Sequence, residues 1–315
     1  MSLAQLPSSD PNRPRRSVSR RAVLGGIAGL AALGGVAACA TPETLMPEDA
    51  ANIGGDDQLP IETAPPEIPS DPPLIKGSFI SPKMAGRETR WAVTRPSGVT
   101  GELPVVIVAH ALNTNERSIF GKSLNIQGVV QQYVEAGNAP FAVASVDVGR
   151  NYFHLRADGT DGAAMIVDEF MPMLENNAEL NLRTDRIGLY GWSMGGYGAL
   201  RLGALIGAPR VAAIAASSPA MWADPMNFPP RAFDSYEDYQ ANSLFGQQHA
   251  FAKIPVMISV GMADQFYTYG RKWAADLHPP AAFSTSPGGH TNRFWRSVLP
   301  DQVEFLGRNL ALAAR

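Results

Sequence analysis

The sequence predicts an α/β protein built on one mostly parallel central sheet with helices on both faces. Three observations predict it. From residue 104 to the C-terminus, short apolar, β-branched runs alternate with amphipathic stretches. The apolar runs are continuous, as in strands buried on both faces, rather than alternating. Alternation of strand and helix then builds a parallel sheet through crossover helices.

The elements follow in order. "GSFISP" and "RETRWAVTRP" are short strand-like runs separated by the turn-like "KMAG", an antiparallel opening. "PVVIVAH" (104–110) is a buried strand, and "IQGVVQQYVEAG" (126–137) is an amphipathic helix ending in Gly. "FAVASVDVG" (141–149) reads as a strand and "DGAAMIVDEFMPMLENN" as a helix. "RIGLYG" (186–191) is a strand, and "MGGYGALRLGALIG" (194–207) is a helix. "VAAIAASS" (211–218) and "PVMISVG" (255–261) are further buried strands. The helix "QFYTYGRKWAADL", the strand "AFSTS" and the closing helix "TNRFWRSVLPDQVEFLGRNLALAA" complete the chain. Residues 219–253 are long for a connection and hold aromatics and prolines. They read as a lid or insertion over the sheet's C-terminal edge, where such folds bind ligands.

Charge divides the chain into three. Residues 1–39 carry five arginines and one acid, Asp10; residues 40–73 carry eight acids and no base. The whole chain has net charge −3, so residues 74–315 carry −3 − 4 + 8 = +1. A folded domain over 74–315 is thus electrostatically bland and lacks the basic face that nucleic-acid binding needs. Cys39 is the only cysteine, which excludes a disulfide framework and a cysteine nucleophile in the folded part.

The N-terminus reads as an address. Arg20 and Arg21 precede an uncharged, Ala- and Gly-rich run, Ala22 to Ala38. A basic start, an apolar middle and a small-residue end make an export signal, and the arginine pair points to the twin-arginine route. Val36-Ala37-Ala38-Cys39 resembles a bacterial lipobox, so Cys39 is the expected lipidation site, with a plain cleaved signal as the alternative. Residues 40–73, with eight prolines among their eight acids, cannot bury a core and read as a disordered tether. The expected location is the outer face of the cytoplasmic membrane, or secreted.

Gly191-Trp192-Ser193-Met194-Gly195 fits G-x-S-x-G between a predicted strand and a predicted helix. So tight a turn lifts a serine hydroxyl clear of the sheet. The Met194 N–H then sits at the helix N-terminus, where it can stabilise an oxyanion. Serine needs a base, and the order in α/β-hydrolases is Ser, acid, His. His290, on a glycine-flexed loop after the last strand, is the expected base; His278, at a helix end, reads as a surface residue. Asp264, directly after the penultimate strand, is the expected acid, and Asp224 is the runner-up. A second oxyanion N–H is expected at Leu112, with Ala111 as fallback, and His110 reads as a structural loop residue. Trp192, Tyr152, Phe153 and His154 are the expected substrate-binding aromatics. "GGYGAL" lacks the third glycine and the later acid of a dinucleotide site.

"RIGLYGWSMGGYGALRLG", "GGHTNRFWRSVLPDQVEFL" and "NYFHLRADGTDGAAMIVDEFMPML" together are similar to the putative esterase family, which contains esterase D, feruloyl esterases and mycolyltransferases. The likeness spans roughly residues 75 to 312. It implies an α/β-hydrolase fold, a Ser193–His290–Asp264 triad and no metal or other cofactor. Ala111 departs from the His-Gly common at that point. The expected activity is carboxylic-ester hydrolysis through an acyl-enzyme, on a small-molecule, lipid or glycolipid ester. Acyl transfer to an envelope sugar differs only in the acceptor and stays open. A non-catalytic envelope-binding protein would need all three triad positions to be decoys.

Overall fold

The computed structural model describes residues 74–314. The expected export signal (1–39), the Cys39 lipidation site and the tether (40–73) lie outside the described residues. Eight strands form one sheet: β1 (Ile75–Ser81), β2 (Arg87–Thr94), β3 (Leu103–Ala109), β4 (Ala142–Val146), β5 (Leu182–Trp192), β6 (Val211–Ser217), β7 (Val256–Gly261) and β8 (Ala282–Ser286). The spatial order is β1-β2-β4-β3-β5-β6-β7-β8. β1 and β2 pair antiparallel, β2 joins β4 antiparallel, and all later pairs are parallel. The helices are α1 (Ile126–Glu135), α2 (Gly162–Met165), α3 (Met171–Asn176), α4 (Met194–Ile206), α5 (Tyr236–Asn242), α6 (Tyr267–Ala275) and α7 (Asn292–Ala313). A wide turn, Ile166–Phe170, joins α2 to α3.

Strand alternation sorts the buried side chains into two cores. On β3, Val105, Ile107 and Ala109 face one layer with Met165, Leu174 and Leu200 of α2, α3 and α4. Val106 and Val108 face the other, with Ile126 and Val130 of α1 and Trp295, Leu299 and Leu306 of α7. Both faces of the parallel strands are covered, which is why those runs are apolar throughout. Elements begin and end where local chemistry dictates. Asn125 and Thr291 accept from the backbone N–H three residues ahead, at Gly128 and Phe294, and so cap α1 and α7.

The insertion between β6 and β7 differs from a simple lid. Its Trp222, Phe233, Tyr239, Leu244 and Phe251 are all buried and join the core on the α4 side. Phe233 touches Trp222, Tyr197, Tyr239, Phe228 and His154, a ring cluster rather than a loose flap.

A buried polar bridge ties α7 to the sheet. Gln302 is fully buried; its Oε1 accepts from Ser217 Oγ (2.8 Å) and its Nε2 donates to Ser259 Oγ (3.2 Å). Ser259 in turn meets Ser284 Oγ at 2.7 Å. One side chain thus joins α7 to β6 and β7, and through Ser284 to β8. Gln302→Leu leaves two buried hydroxyls short of a partner, and is expected to cost about 1–3 kcal/mol of unfolding free energy in a urea titration.

Candidate active site

The site is built on the turn from β5 into α4. Gly191 and Gly195 approach so closely that a Cβ on Gly191 would lie 2.0 Å from the Gly195 carbonyl oxygen. A Cβ on Gly195 would lie 1.9 Å from the carbonyl oxygen of Ala109, at the end of β3. Neither position has room for a side chain. Between them Ser193 takes φ 56°, ψ −121°, a conformation costly for any residue but glycine. Two hydrogen bonds to the end of β6 and the chain just after it hold it there: Ser193 N–H to Ser217 O and Ala220 N–H to Ser193 O, both 2.9 Å. Gly196 packs on Pro219, and Gly198 gives up its side-chain space to the Phe153 ring.

Asp264 and His290 come from the loops after β7 and β8. These loops are knitted together by Met262 N–H to Ser286 O (3.0 Å) and Ala263 N–H to Gly288 O (2.8 Å). A Cβ on Gly261 would strike the Gly288 carbonyl at 2.3 Å, so the crossing needs glycine. The result is a hydrogen-bonded row. His290 Nε2 lies 2.8 Å from Ser193 Oγ, and His290 Nδ1 lies 3.0 Å from Asp264 Oδ2. Asp264 Oδ1 accepts from the Phe266 N–H at 2.8 Å, so both carboxylate oxygens are engaged. The Asp264 side chain has no solvent exposure.

Two rings that sequence reasoning had not assigned a role hold the imidazole edge-to-face. Trp295 sits 4.9 Å from His290 at 89°, and Phe266 sits 5.2 Å away at 64°. The signal for both is positional: Phe266 follows Asp264 by two residues, and Trp295 lies in the first turn-and-a-half of α7.

Met194 is the first residue of α4, so its N–H has no intrahelical acceptor. Leu112 is buried in the loop after β3, which the Gly195–Ala109 contact brings onto the turn. That loop is pinned from outside. His110 is fully buried; its Nε2 accepts from Val148 N–H at 3.0 Å and its Nδ1 faces Ala111 O at 2.9 Å. Asp147 accepts from Arg90 Nη2 (2.8 Å) and from Gly149 N–H (2.9 Å), and Arg90 also reaches buried Glu116 of the same loop at 3.5 Å. Burial alone would raise the Asp147 carboxyl; the His110 ring, the Gly149 N–H and the Arg90 guanidinium outweigh it and hold the pKa at about 2.

The four expected substrate-binding residues are all buried. Trp192 is 1% exposed and lies with Tyr190 on the α1/α7 side of the sheet, because alternation along β5 carries it there. Phe153 fills the notch at Gly198. His154 is sealed in, with Nε2 2.8 Å from Ala232 O and its ring stacked on Phe233. Burial lowers the His154 pKa. All three side chains pack into the interior. Tyr152, also buried, lies with its ring against Tyr197 and Trp222. Asp224 is apart from the row: it is exposed and binds Met226 N–H and the Asn227 side chain. Among the described residues, no three His, Cys, Asp or Glu side chains are grouped as a metal would require, and no helix is long and apolar enough to cross a membrane.

Comparison with known proteins places this geometry in a family. The family described as Putative esterase matches residues 81–306. No curated protein matches the sequence. Among solved structures, a ferulic acid esterase superposes with TM-score 0.65 at 17% identity, over 75% of this chain and 98% of that one. The S-formylglutathione hydrolase FrmB of Staphylococcus aureus gives 0.60 at 16%, over 74% and 98%. MPT51 of Mycobacterium tuberculosis gives 0.59 at 15%, over 76% and 99%. At these identities the superpositions establish the fold, an α/β-hydrolase sheet.

The charge cluster behind the β3 loop yields a pH test. Asp147 has a depressed folded pKa, so its contribution is complete above the ordinary carboxylate value of about 3.9. It is lost as pH falls through about 2. The stability gap between wild type and Asp147→Asn is therefore expected to close across that window in acid titrations followed by circular dichroism, and to be constant at neutral pH.

Proposed function

The chain belongs to the Putative esterase family, and from that premise we propose that it is an exported serine carboxylic-ester hydrolase acting through Ser193, His290 and Asp264. The observation that carries this reading is the unbroken row Ser193 Oγ–His290–Asp264, at 2.8 and 3.0 Å. Ser193 Oγ attacks the ester carbonyl as His290 Nε2 takes its proton. The negative charge formed on the carbonyl oxygen falls to the N–H groups of Met194 and Leu112, each contributing about 3 kcal/mol in sites of this kind. Asp264 holds Nδ1–H toward itself, which keeps Nε2 free as the acceptor and stabilises the imidazolium. His290 then returns the proton to the leaving alcohol, and the acyl group stays on Ser193. Water, deprotonated by His290, releases the acid and restores the hydroxyl.

Export rests on the Arg20-Arg21 pair and the run after it, and anchoring rests on Cys39 at the end of that run. Two of the three solved structures are named for what they act on, a ferulic acid ester and S-formylglutathione. Both substrates are acyl compounds attacked at a carbonyl, which fits the reading without choosing between them.

Ser193→Ala is expected to abolish both fluorophosphonate labelling and nitrophenyl-ester hydrolysis. Asp264→Asn is expected to lower kcat by about 10⁴-fold, while Asp224→Asn stays near wild type. Labelling that persists in Ser193→Ala would overturn the assignment. Product partition in the presence of a sugar acceptor separates hydrolysis from transfer. Mass spectrometry of the mature N-terminus reads the export and lipidation proposal: a diacylglyceryl group on Cys39 is the expected result, and an unmodified terminus beyond residue 39 contradicts it.

A further inference from the structure

The loop after β3 starts against the nucleophile turn. A Cβ on Gly195, the residue after Met194, would lie 2.6 Å from the His110 carbonyl oxygen as well as striking Ala109. In that loop the Leu112 N–H shares a peptide group with the Ala111 carbonyl. The peptide is trans, so the two bonds point in opposite directions. Whatever fixes the carbonyl therefore aims the N–H. Three donors converge on the Ala111 oxygen. Thr114 supplies two, its N–H at 3.2 Å and its hydroxyl at 2.8 Å. His110 supplies the third, Nδ1–H at 2.9 Å. The ring proton is on Nδ1 because Nε2 is taken up as the acceptor from Val148 N–H at 3.0 Å. Among the described residues, the Leu112 N–H itself has no hydrogen-bond acceptor.

The Thr114 N–H closes a tight turn in which Asn113 takes φ 61°, a conformation that asparagine tolerates better than most residues. Such a turn is held by its backbone bond alone. The imidazole and the hydroxyl are therefore surplus to the turn. What they add is restraint of one peptide against flipping. They also polarise that amide, which makes its N–H a stronger donor. An oxyanion donor works through such advance placement, and removing one costs about 10²–10³ in kcat.

We propose that His110 and Thr114 are positioning residues, which clamp the Ala111 carbonyl so that the Leu112 N–H is turned to the oxyanion formed at Ser193. His110 ties the clamp to the sheet, since Val148 lies two residues beyond β4. Thr114 closes it from within the loop. Both act through the Ala111–Leu112 peptide. The proposal rests on the esterase reading above.

The test compares turnover of p-nitrophenyl acetate with that of its thiono analogue, which carries C=S in place of C=O. Sulfur is a weak hydrogen-bond acceptor, so the thiono ester draws little from an oxyanion hole. Thr114→Val removes the hydroxyl and keeps the shape. It is expected to lower kcat on the oxygen ester about tenfold at unchanged KM, and to change thiono-ester turnover by less than about twofold. Thr114→Ser, which restores a hydroxyl, is expected to recover the wild-type ratio of the two rates. His110→Gln has no donor at the Nδ1 position and is expected to shift the ratio as Thr114→Val does. Thermal melting checks that each variant is folded. Equal losses on both esters, or a wild-type ratio in both Thr114→Val and His110→Gln, overturns the proposal. Either result leaves the esterase reading standing, because the wild-type protein still hydrolyses. Failure of that reading looks different: the wild type then turns over neither ester and takes up no fluorophosphonate, and the clamp has no oxyanion to serve.

Discussion

The structure depends on the backbone of Ser193. A residue with a side chain is held at φ 56°, where such residues are uncommon, and everything near it serves that placement. Gly191 and Gly195 are glycines because each faces another backbone at less than a bond-and-contact distance. β3 must lie beside β5 for Ala109 to meet Gly195, and β6 must lie on the other side for Ser217 and Ala220 to grip Ser193. The sheet order is therefore a condition of the turn as well as a result of burying apolar strands.

His290 and Asp264 reach the serine by a different device. Neither sits on a strand. Their loops are joined to each other by hydrogen bonds and a glycine crossing, and α7 begins directly after His290. Because Gln302 fastens α7 to β6 and β7, the helix that follows the histidine is indexed to the same strands that hold the serine and the acid. Trp295 on its first turns then closes one face of the imidazole. The row of three side chains is short, yet its alignment draws on five strands and two helices.

Much of this was legible in the sequence. The continuous apolar runs at 104–110, 211–218 and 255–261 are strands because both faces of a parallel sheet are covered, and that leaves a plain signature. The serine, acid and histidine that join in one hydrogen-bonded row are the residues that motif and position single out in the sequence, each just past a strand. What was not legible depends on which face a side chain takes and on what covers it. Trp192 beside the serine suggested a binding wall, but alternation along β5 turns it under α7. Phe153 and His154 read as a rim, but Phe153 fills the notch at Gly198, and the insertion, whose packing has no local period, closes over His154. β5 begins at Leu182, earlier than its apolar core suggests, because Arg183 and Asp185 interrupt the pattern while pairing with β3, shifted in register by a bulge, reaches back to Leu182.

The ring cluster centred on Phe233 has a consequence for how such a protein can change. In many sheets of this kind the segment between two parallel strands is a helix that covers the core, and the walls of the site are hung on separate loops. Here the segment between β6 and β7 is itself part of the core, since Phe233 is 2% exposed and contacts Tyr197 of α4 as well as Trp222 of its own segment. A lineage exploring new substrates by altering those rings would lose marginal stability with nearly every step. The open path for adaptation runs through the exposed periphery, at positions such as Arg150 and Met226, where a substitution leaves the interior untouched.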